Sequence, residues 1–241
     1  MTSRVVVVTG AAGGIGGATV RRLLADGMTV VATDIDVAAV SAIAPHSYRL
    51  DVSDAGQVEE VLDAVVREFG RIDVLVNNAG ITGSMQATTA GDTPIEEFDL
   101  VMAVNVRGPF LCTRAVLPSM IEVGGGQIVT IASVAGLVAF PGRCAYTTSK
   151  GAALMFARSV AVDYGHLGIR SNAICPGMVE TPMTQWRLDQ PDLRSKVESH
   201  IPLGRVAQPD DIADAVSLLA SGRLAYANGS AIVVDGGWTA V

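Results

Sequence analysis

The 241-residue chain contains few cysteines and histidines and no long apolar run. Its three cysteines and three histidines are scattered, without any C-x-x-C pair. The sequence therefore indicates neither a disulfide framework nor a metal site, and it favours a reducing compartment. No apolar run approaches the roughly 18 to 20 residues of a membrane helix, and the run near the start is too short for a signal-peptide core. We expect a cytoplasmic protein that does not bind a membrane.

Positive charge is also scarce. The chain has 17 Lys and Arg residues against 24 Asp and Glu residues, for a formal net charge of −7. Proteins that bind nucleic acid or anionic membrane surfaces are normally basic, because their affinity comes largely from Lys and Arg that neutralise phosphate. The expected partner is therefore a small-molecule substrate rather than nucleic acid.

Apolar residues, in contrast, make up 49% of the chain, which allows a large core and excludes intrinsic disorder. Short runs rich in Val and Ile recur, and they are continuous rather than alternating, as in strands covered on both faces of a parallel sheet. Helical periodicity lies between them, most clearly over Asp54–Phe69. The runs are Arg4–Thr9, Met28–Thr33, Ile72–Val76, Gln127–Ala132, Ile169–Ile174 and Ser230–Val234.

The alternation of strands and helices predicts an α/β fold with a doubly wound, parallel, Rossmann-type sheet and helices on both faces. No linker or change of composition marks a boundary, so we expect a single domain over residues 1–241. Sites in such sheets lie beyond the carboxyl ends of the strands. The candidate functional residues are therefore sought there.

A glycine-rich loop follows the first predicted strand directly. Gly10, Gly14 and Gly16 form the pattern G-x-x-x-G-x-G, which leads into a helical stretch. Backbone without a Cβ can approach a pyrophosphate closely, and the N-terminus of the next helix favours negative charge. A plain tight turn is the alternative, but the position after a first strand favours a dinucleotide site that includes Ile15.

The identity of the dinucleotide depends on Asp34, at the end of the second predicted strand. Its carboxylate can accept hydrogen bonds from the adenosine ribose and would repel a 2′-phosphate. No Lys or Arg stands at positions 13 or 35 to compensate, and Asp36 adds negative charge. These residues predict NAD rather than NADP. The alternative is that Asp34 only caps the helix that starts near Asp36.

The ends of the next two predicted strands carry further candidates. Asp51 and Val52 could contact adenine, although Asp51 could equally be a capping residue beside Ser53 and Asp54. The fourth strand ends in Asn77, Asn78, Ala79 and Gly80, whose small residues leave room for a ligand and whose amides can tie strands together.

Four polar residues form the candidate catalytic group. Tyr146 and Lys150 are four positions apart in a helical stretch, so they share one face. An ammonium about 5 Å from a phenol contributes roughly 3 kcal/mol at an effective dielectric near 20, or about two pKa units, so Lys150 is expected to lower the pKa of Tyr146. Ser133 can hold the substrate oxygen, and Asn105 could support a water chain to Lys150. Alone, the tyrosine could be a core residue and the lysine a surface charge.

These residues together resemble the short-chain dehydrogenase/reductase family over essentially the whole chain. The resemblance rests on the loop from Thr9 to Gly16, the Asn78-Ala79-Gly80 element and the tetrad in its order and spacing. It implies that Tyr146 is the acid/base, Ser133 the oxygen-positioning group, Lys150 a ribose ligand and pKa modifier, and Asn105 the relay. A segment that packs against nicotinamide in the family corresponds to Pro176, Gly177, Val179 and Thr181.

The resemblance also implies a homotetramer. In the family, subunits meet through the helices that correspond to Glu96–Glu122 and Tyr146–Tyr164 and through the C-terminal segment. Small residues on the second helix suit close packing, although an ordinary core helix would show them too.

Substrate specificity is expected from the loop before Tyr146 and from a substrate loop at about residues 178–205. Arg143 and Arg187 there suggest an anionic group on the substrate. The alternative is that Arg187 pairs with Asp189 and that Arg143 faces water. Both segments resemble those of 2-(R)-hydroxypropyl-coenzyme M dehydrogenases, which implies that Arg143, Trp186 and Arg187 hold a sulfonate.

The predicted function is therefore an NAD-dependent oxidoreductase that interconverts a secondary alcohol and a ketone by hydride transfer. A substrate with a terminal anion, such as 2-hydroxypropyl-coenzyme M, is expected to contact Ser133 and Tyr146 with its alcohol. A reductase of 3-oxoacyl thioesters or a broad alcohol dehydrogenase is an alternative, and a non-catalytic dinucleotide sensor is a remote one.

Overall fold

Seven parallel strands form one sheet in a computed structural model that describes residues 3–84 and 88–240. The strand order is β3-β2-β1-β4-β5-β6-β7. Strands β2 and β3 are added on one side of β1 and strands β4 to β7 on the other, so the order of addition reverses between β1 and β4. The prediction of a doubly wound α/β sheet is confirmed. The strands are β1 Val5–Thr9, β2 Thr29–Asp34, β3 His46–Arg49, β4 Val74–Asn77, β5 Gly126–Ile131, β6 Ile169–Pro176 and β7 Ala231–Val234.

Helices cover both faces of this sheet. Their bounds are α1 Gly14–Ala25, α2 Val37–Ser41, α3 Ala55–Phe69, α4 Ile95–Met102, α5 Gly108–Glu122, α6 Cys144–Tyr164, α7 Pro182–Leu188, α8 Pro191–Glu198 and α9 Pro209–Ala220. The helix predicted at Asp54–Phe69 is confirmed as α3, and Asp54 is its N-cap, accepting hydrogen bonds from the Gly56 and Gln57 N–H groups at 2.9 and 3.1 Å.

Strand β1 explains why the apolar runs are continuous. Val5 and Val7 belong to the core layer with α3 and α5, whereas Val6 and Val8 belong to the layer with α1 and α9. Successive side chains of a strand point to opposite faces. Because both faces are buried, the four positions from Val5 to Val8 are apolar, and the strand ends in Thr9, which is buried and hydrogen-bonded to the Val76 carbonyl oxygen.

Strand β3 lies at the edge of the sheet and has no apolar run. Its sequence is His-Ser-Tyr-Arg, and its residues are partly or fully exposed. An edge strand has one neighbour and is only partly covered, so it does not need the pattern of a central strand. The sequence analysis placed the end of this strand at Asp51 and Val52, but the strand ends at Arg49, and those two residues follow it as a loop.

Helices α4 and α5 are joined by a single π-helical turn, Ala103–Arg107. The whole stretch, Ile95–Glu122, has the length and apolar composition of a membrane-spanning helix, although half of its most apolar window is buried inside the fold. Sequence analysis found no such run, because charged residues and prolines interrupt it. Since α5 packs on α3 and the sheet, its composition is that of a core helix.

Candidate active site

A cavity of about 730 Å3 opens at the carboxyl ends of the strands, where the strand order reverses. This is the position expected for a ligand site in a doubly wound sheet. Its wall is formed by the glycine-rich loop, the ends of β2 to β6, one face of α6 and the start of α7. Among the residues that the structure describes, no group of three or more His, Cys, Asp or Glu side chains is placed to hold a metal ion.

The glycine-rich loop forms a tight floor to this cavity. A Cβ on Gly16 would lie 2.1 Å from the Gly10 carbonyl oxygen and 2.5 Å from Asn78 Nδ2. Gly10 has a φ of +64°, and a Cβ there would lie 2.6 Å from the Cα of Ala79. The loop thus needs glycine at both positions, and it presents bare backbone and the start of α1 to the cavity, an arrangement that suits a pyrophosphate.

The segment after β4 is tied to this loop. Asn78 Nδ2 donates to the carbonyl oxygens of Thr9 and Gly10 at 2.9 and 2.8 Å. Thr9 Oγ1 in turn accepts from the N–H groups of Asn78 and Ala79 at 3.1 and 3.2 Å. The predicted role of the Asn78 amide is therefore confirmed, since it ties the end of β4 to the end of β1 and to the glycine-rich loop.

Asp34 faces the cavity at the end of β2. Its carboxylate accepts hydrogen bonds from the Ala12 and Asp36 N–H groups at 3.0 and 3.1 Å. Helix α2 is capped by Asp36, which accepts from Ala39 N–H at 3.1 Å. The alternative that Asp34 only caps this helix is therefore wrong, and its carboxylate lines the cavity.

Asp51 and Val52 also line the cavity. Asp51 accepts from Ser53 N–H and Ser53 Oγ at 2.9 and 2.7 Å, which closes a local turn. It does not cap α3, since Asp54 does. The wall at this end is completed by apolar residues that sequence analysis did not select, Ile35 and Leu50.

Three of the four candidate catalytic side chains meet in the cavity, namely Ser133, Tyr146 and Lys150. Ser133 follows β5, and its Oγ accepts from Ala135 N–H at 3.1 Å and is hydrogen-bonded to Tyr146. Tyr146 and Lys150 project from the first turns of α6. Lys150 Nζ lies 5.6 Å from the centre of the Tyr146 ring and donates to the Ile131 carbonyl oxygen at 2.9 Å.

The electrostatics of Tyr146 differ from the sequence-based expectation. Burial raises the pKa of the Tyr146 phenol, and this outweighs the lowering effects of the hydrogen bond with Ser133 and of the Arg143 charge. The pKa of the phenol is therefore raised where the sequence predicts a lowered one, because loss of hydration disfavours the phenolate more than the Ser133 hydrogen bond and the Arg143 charge favour it. Burial also lowers the pKa of Lys150 to about 8.

Asn105 lies in the π-helical turn and does not line the cavity. Its Oδ1 accepts from Ile81 N–H at 2.9 Å, and its Nδ2 donates to the Ile81 carbonyl at 2.8 Å and to Ser149 Oγ at 2.9 Å. A Cβ on Gly80 would lie 3.3 Å from Asn105 Oδ1 and 3.4 Å from Lys150 Nζ. Asn105 is therefore close to Lys150, and its amide anchors the backbone of the cavity wall.

The segment after β6 closes the opposite wall. Pro176, Gly177, Val179 and Thr181 line the cavity. A Cβ on Gly14 would lie 3.2 Å from Thr181 Cγ2, so this segment reaches across to the glycine-rich loop. The next turns of the chain add Pro182, Met183 and Thr184. These three lie within the substrate loop predicted at about residues 178–205, although the sequence patterns did not single them out as site residues.

Of the five candidate substrate residues, Ser133 and Tyr146 line the cavity, whereas Arg143, Trp186 and Arg187 lie outside its lining. Arg143 is the N-cap residue of α6, and its Nη1 donates to the Ser84 carbonyl oxygen at 2.9 Å. Arg187 lies on α7 one helical turn after Met183 and Thr184, on the same face. Trp186 precedes it and is 37% exposed.

The structure does not show the two alternative arrangements, in which Arg187 pairs with Asp189 and Arg143 faces water. Asp189 accepts from Gln185 Nε2 at 2.5 Å, and across residues 3–84 and 88–240 no ion pair joins it to Arg187. Arg143 is half-buried and bonded to the chain rather than directed only to water.

Comparison with known proteins matches this geometry to a family. Residues 10–239 match a family model described as enoyl-(acyl carrier protein) reductase. The 2-(R)-hydroxypropyl-CoM dehydrogenase of Xanthobacter autotrophicus is 54% identical over 249 aligned positions, covering 99% of this chain and 100% of that protein. The chain belongs to the short-chain dehydrogenase/reductase family.

Solved structures of other short-chain dehydrogenases superpose over the whole chain. A gluconate 5-dehydrogenase from Burkholderia cenocepacia in complex with NADP and tartrate has a TM-score of 0.94 at 30% identity, covering 100% of this chain and 97% of its own. A 3-ketoacyl-(acyl-carrier-protein) reductase from Brucella melitensis with NADH has a TM-score of 0.90 at 32% identity, covering 98% of both chains. The present chain is a dinucleotide-dependent dehydrogenase of this family that acts on alcohols.

Proposed function

We propose that this short-chain dehydrogenase uses NAD to interconvert a secondary alcohol and a ketone on a substrate with a terminal anion, such as 2-hydroxypropyl-coenzyme M. The observation that carries the proposal is the shared cavity, in which Ser133, Tyr146 and Lys150 lie beside the glycine-rich loop. The 54% identity with a 2-(R)-hydroxypropyl-CoM dehydrogenase supports the substrate class. The expected product of oxidation is the corresponding ketone.

The loop and the strand ends fit a dinucleotide, because the loop presents bare backbone and the N-terminus of α1 to the cavity. The bound cofactor accepts or supplies the hydride. The proposed cofactor-binding residues are Gly10, Gly14, Ile15, Gly16, Asp34, Asp51, Val52, Asn78, Ala79, Gly80, Tyr146, Lys150, Pro176, Gly177, Val179 and Thr181, all of which line the cavity.

The proton is handled at the Tyr146 oxygen. Because burial raises the pKa of Tyr146, its phenol is protonated at neutral pH and suited to donate a proton to a ketone. The reverse direction needs positive charge beside the phenol, which Lys150 provides. Ser133, hydrogen-bonded to Tyr146, positions the substrate oxygen, and Asn105 supports a relay through Lys150 from its place behind Gly80.

The anionic end of the substrate is assigned to the mouth of the cavity. The charge of Arg143 is close enough to lower the pKa of Tyr146, and Arg187 lies one turn beyond residues of α7 that line the cavity. A guanidinium binds a sulfonate or carboxylate through paired N–H donors. Trp186 would cover the same end, within a substrate loop at about residues 178–205.

The preference for NAD can be tested at Asp34. We expect Asp34→Asn to lower the ratio of kcat/KM with NAD to kcat/KM with NADP by about 10- to 100-fold, because the carboxylate that repels a 2′-phosphate is lost. Steady-state rates with each dinucleotide measure the ratio. Asp54→Asn is the matched control, since Asp54 caps α3 and does not line the cavity. An unchanged ratio in Asp34→Asn would overturn the assignment.

The substrate class can be tested at the two arginines. We expect Arg143→Ala and Arg187→Ala each to raise KM for a sulfonated secondary alcohol by about 10- to 100-fold, the value of a lost charged hydrogen bond. KM for a neutral alcohol should stay within about twofold. Arg223→Ala is the control, because Arg223 bonds to Ser221 away from the cavity. Equal effects on sulfonated and neutral alcohols would reject an anion site.

A 3-oxoacyl thioester reductase is the second candidate, favoured by the fold match to such an enzyme. A panel of substrates separates the candidates: sulfonated, carboxylated and neutral secondary alcohols are assayed with NAD and with NADP, and 3-oxoacyl thioesters with NADH and with NADPH. Faster reduction of the thioester with NADPH than oxidation of any alcohol would favour the reductase, and lack of any turnover would favour a dinucleotide sensor.

We also propose a homotetramer in the cytoplasm, formed by one-domain subunits that span residues 1–241, of which 1–2, 85–87 and 241 lie outside the described residues. Large apolar side chains are exposed on the helices expected at the interfaces, including Phe110, Ile121, Met155 and Val162. A mass near four subunits in light scattering would support this assembly.

A further inference from the structure

A cluster of polar side chains joins the substrate loop to the body of the protein. We call Glu180, Arg194 and Gln208 the latch. Glu180 follows β6, Arg194 is on α8, and Gln208 is the N-cap of α9. None of the three lines the cavity, and the proposed function gives them no role.

Arg194 makes the central contacts of the latch. Its Nη2 donates to Glu180 Oε1 at 2.5 Å and its Nη1 approaches Glu180 Oε2 at 3.5 Å. Its Nε donates to the Leu188 carbonyl oxygen, the last residue of α7, at 3.0 Å. The Arg194 side chain thus contacts both ends of α7, through Glu180 just before the helix and Leu188 at its last residue.

Gln208 connects Glu180 to the rigid part of the fold. Gln208 Nε2 donates to Glu180 Oε2 at 3.0 Å, and the Glu180 N–H donates to the Ala207 carbonyl at 2.8 Å. Helix α9, which starts beside Gln208, packs extensively on α1 and the sheet. The Glu180 carboxylate is therefore held from the body on one side and from α8 on the other.

The latch sets the position of α7 relative to the cavity. Residues 181–184, at the start of α7, line the cavity, and Arg187 lies one turn further. The end of α7, helix α8 and the segment after it also pack together through four buried apolar side chains, Leu188, Val197, Ile201 and Val206. Such packing is non-directional, whereas a fork of N–H donors on a carboxylate fixes orientation.

We propose that Arg194, through Glu180 and Gln208, is a positioning residue that holds α7 closed over the cavity in its substrate-binding orientation. This inference rests on the proposed function for the identity of the substrate. It does not place Arg194 in contact with substrate or dinucleotide. The hydrogen bonds from Arg194 and Gln208 lower the pKa of Glu180, so the carboxylate stays ionised and able to accept both donors at neutral pH.

The test uses full-length Arg194→Met and, as a matched control, Arg22→Met. Arg22 also contacts two carboxylates, Asp26 and Asp214, and also joins two helices, but it does so between α1 and α9. We expect Arg194→Met to raise KM for a sulfonated alcohol by about tenfold, with a smaller change in kcat, and to speed amide hydrogen exchange in α7 and α8 by about tenfold. Arg22→Met should change neither quantity.

Glu180→Gln and the double variant Arg194→Met/Glu180→Met distinguish pairing from loss of local packing. If the two side chains act as a unit, the double variant is no worse than Arg194→Met alone. Glu180→Gln keeps the size of the side chain and removes its charge. If Arg194→Met fails to fold, Glu180→Gln takes its place in the KM and hydrogen-exchange measurements, with the same direction of change expected. Additive effects in the double variant would overturn the pairing.

Unchanged exchange in α7 and α8, or faster exchange with an unchanged KM, would overturn the positioning role. If the parent enzyme oxidises no alcohol in the panel, the proposed function fails separately. The latch is then decided by the exchange rates together with the NAD dissociation constant, because residues 181–184 line the same cavity. In that case faster exchange with weaker NAD binding supports the latch, and no change in either overturns it.

Discussion

Replacing Tyr146 with phenylalanine is expected to lower kcat for alcohol oxidation by about 10³-fold, within the 10²- to 10⁴-fold range of general acid–base catalysis. The substitution removes the only atom of this side chain that can exchange a proton. It keeps the ring that packs beside Lys150, whose Nζ lies 5.6 Å from the ring centre. Initial rates of NADH formation at saturating alcohol measure the effect.

The control for this variant is Tyr164→Phe. Tyr164 is the last residue of the same helix and packs partly buried against the core, far along the chain from the cavity lining. Because the Tyr164 hydroxyl lies away from the cavity, its removal should leave kcat within about twofold of the parent value. NAD binding and thermal stability are measured for both variants, so that a fall in kcat is not confused with misfolding. Parent-like turnover by Tyr146→Phe would reject the proposed acid/base.

The second large effect is expected for Gly16→Ala. A Cβ at this position would lie 2.1 Å from the Gly10 carbonyl oxygen, which is backbone and has no flexible end to move aside. Overpacking of this kind costs about 1–3 kcal/mol or more in the free energy of unfolding. Since Gly16 is inside α1, helix propensity alone would predict a gain of about 1 kcal/mol. The sign of the measured change therefore decides between the two effects.

Gly13→Ala is the matched control in the same loop. Nothing lies within 4 Å of a Cβ at Gly13, and its φ of −172° is extended backbone that any residue adopts. We expect its free energy of unfolding, measured by urea titration, to stay within about 0.5 kcal/mol of the parent value. For Gly16→Ala we also expect NAD binding to be lost, because the loop must open to admit the methyl group. A Gly16→Ala protein as stable as the parent would contradict the close approach.

Local patterns in the sequence were enough to predict the sheet and the dinucleotide loop. The four valines of β1 alternate between two buried layers, so the composition of the strand reports the architecture directly. The spacing of Tyr146 and Lys150 follows from one turn of a helix. Strand β3 was less predictable: an edge strand of His-Ser-Tyr-Arg carries no apolar signal, and its end was placed two residues too late.

Other properties depend on groups brought together from distant parts of the chain. Burial by the surrounding elements raises the pKa of Tyr146. The side-chain amide of Asn105 is hydrogen-bonded to the Ile81 N–H and to Ser149 Oγ. The latch joins three segments whose partners cannot be read from spacing.

The sequence by itself determined the α/β class, the glycine-rich loop and the helix face that Tyr146 and Lys150 share, because each is encoded by neighbours within one strand or one turn. Tertiary structure alone decided which carboxylate lines the cavity, how strongly the phenol is desolvated and where α7 lies over the site. Those quantities depend on distances through space and on exclusion of water, which arise only when remote segments pack together.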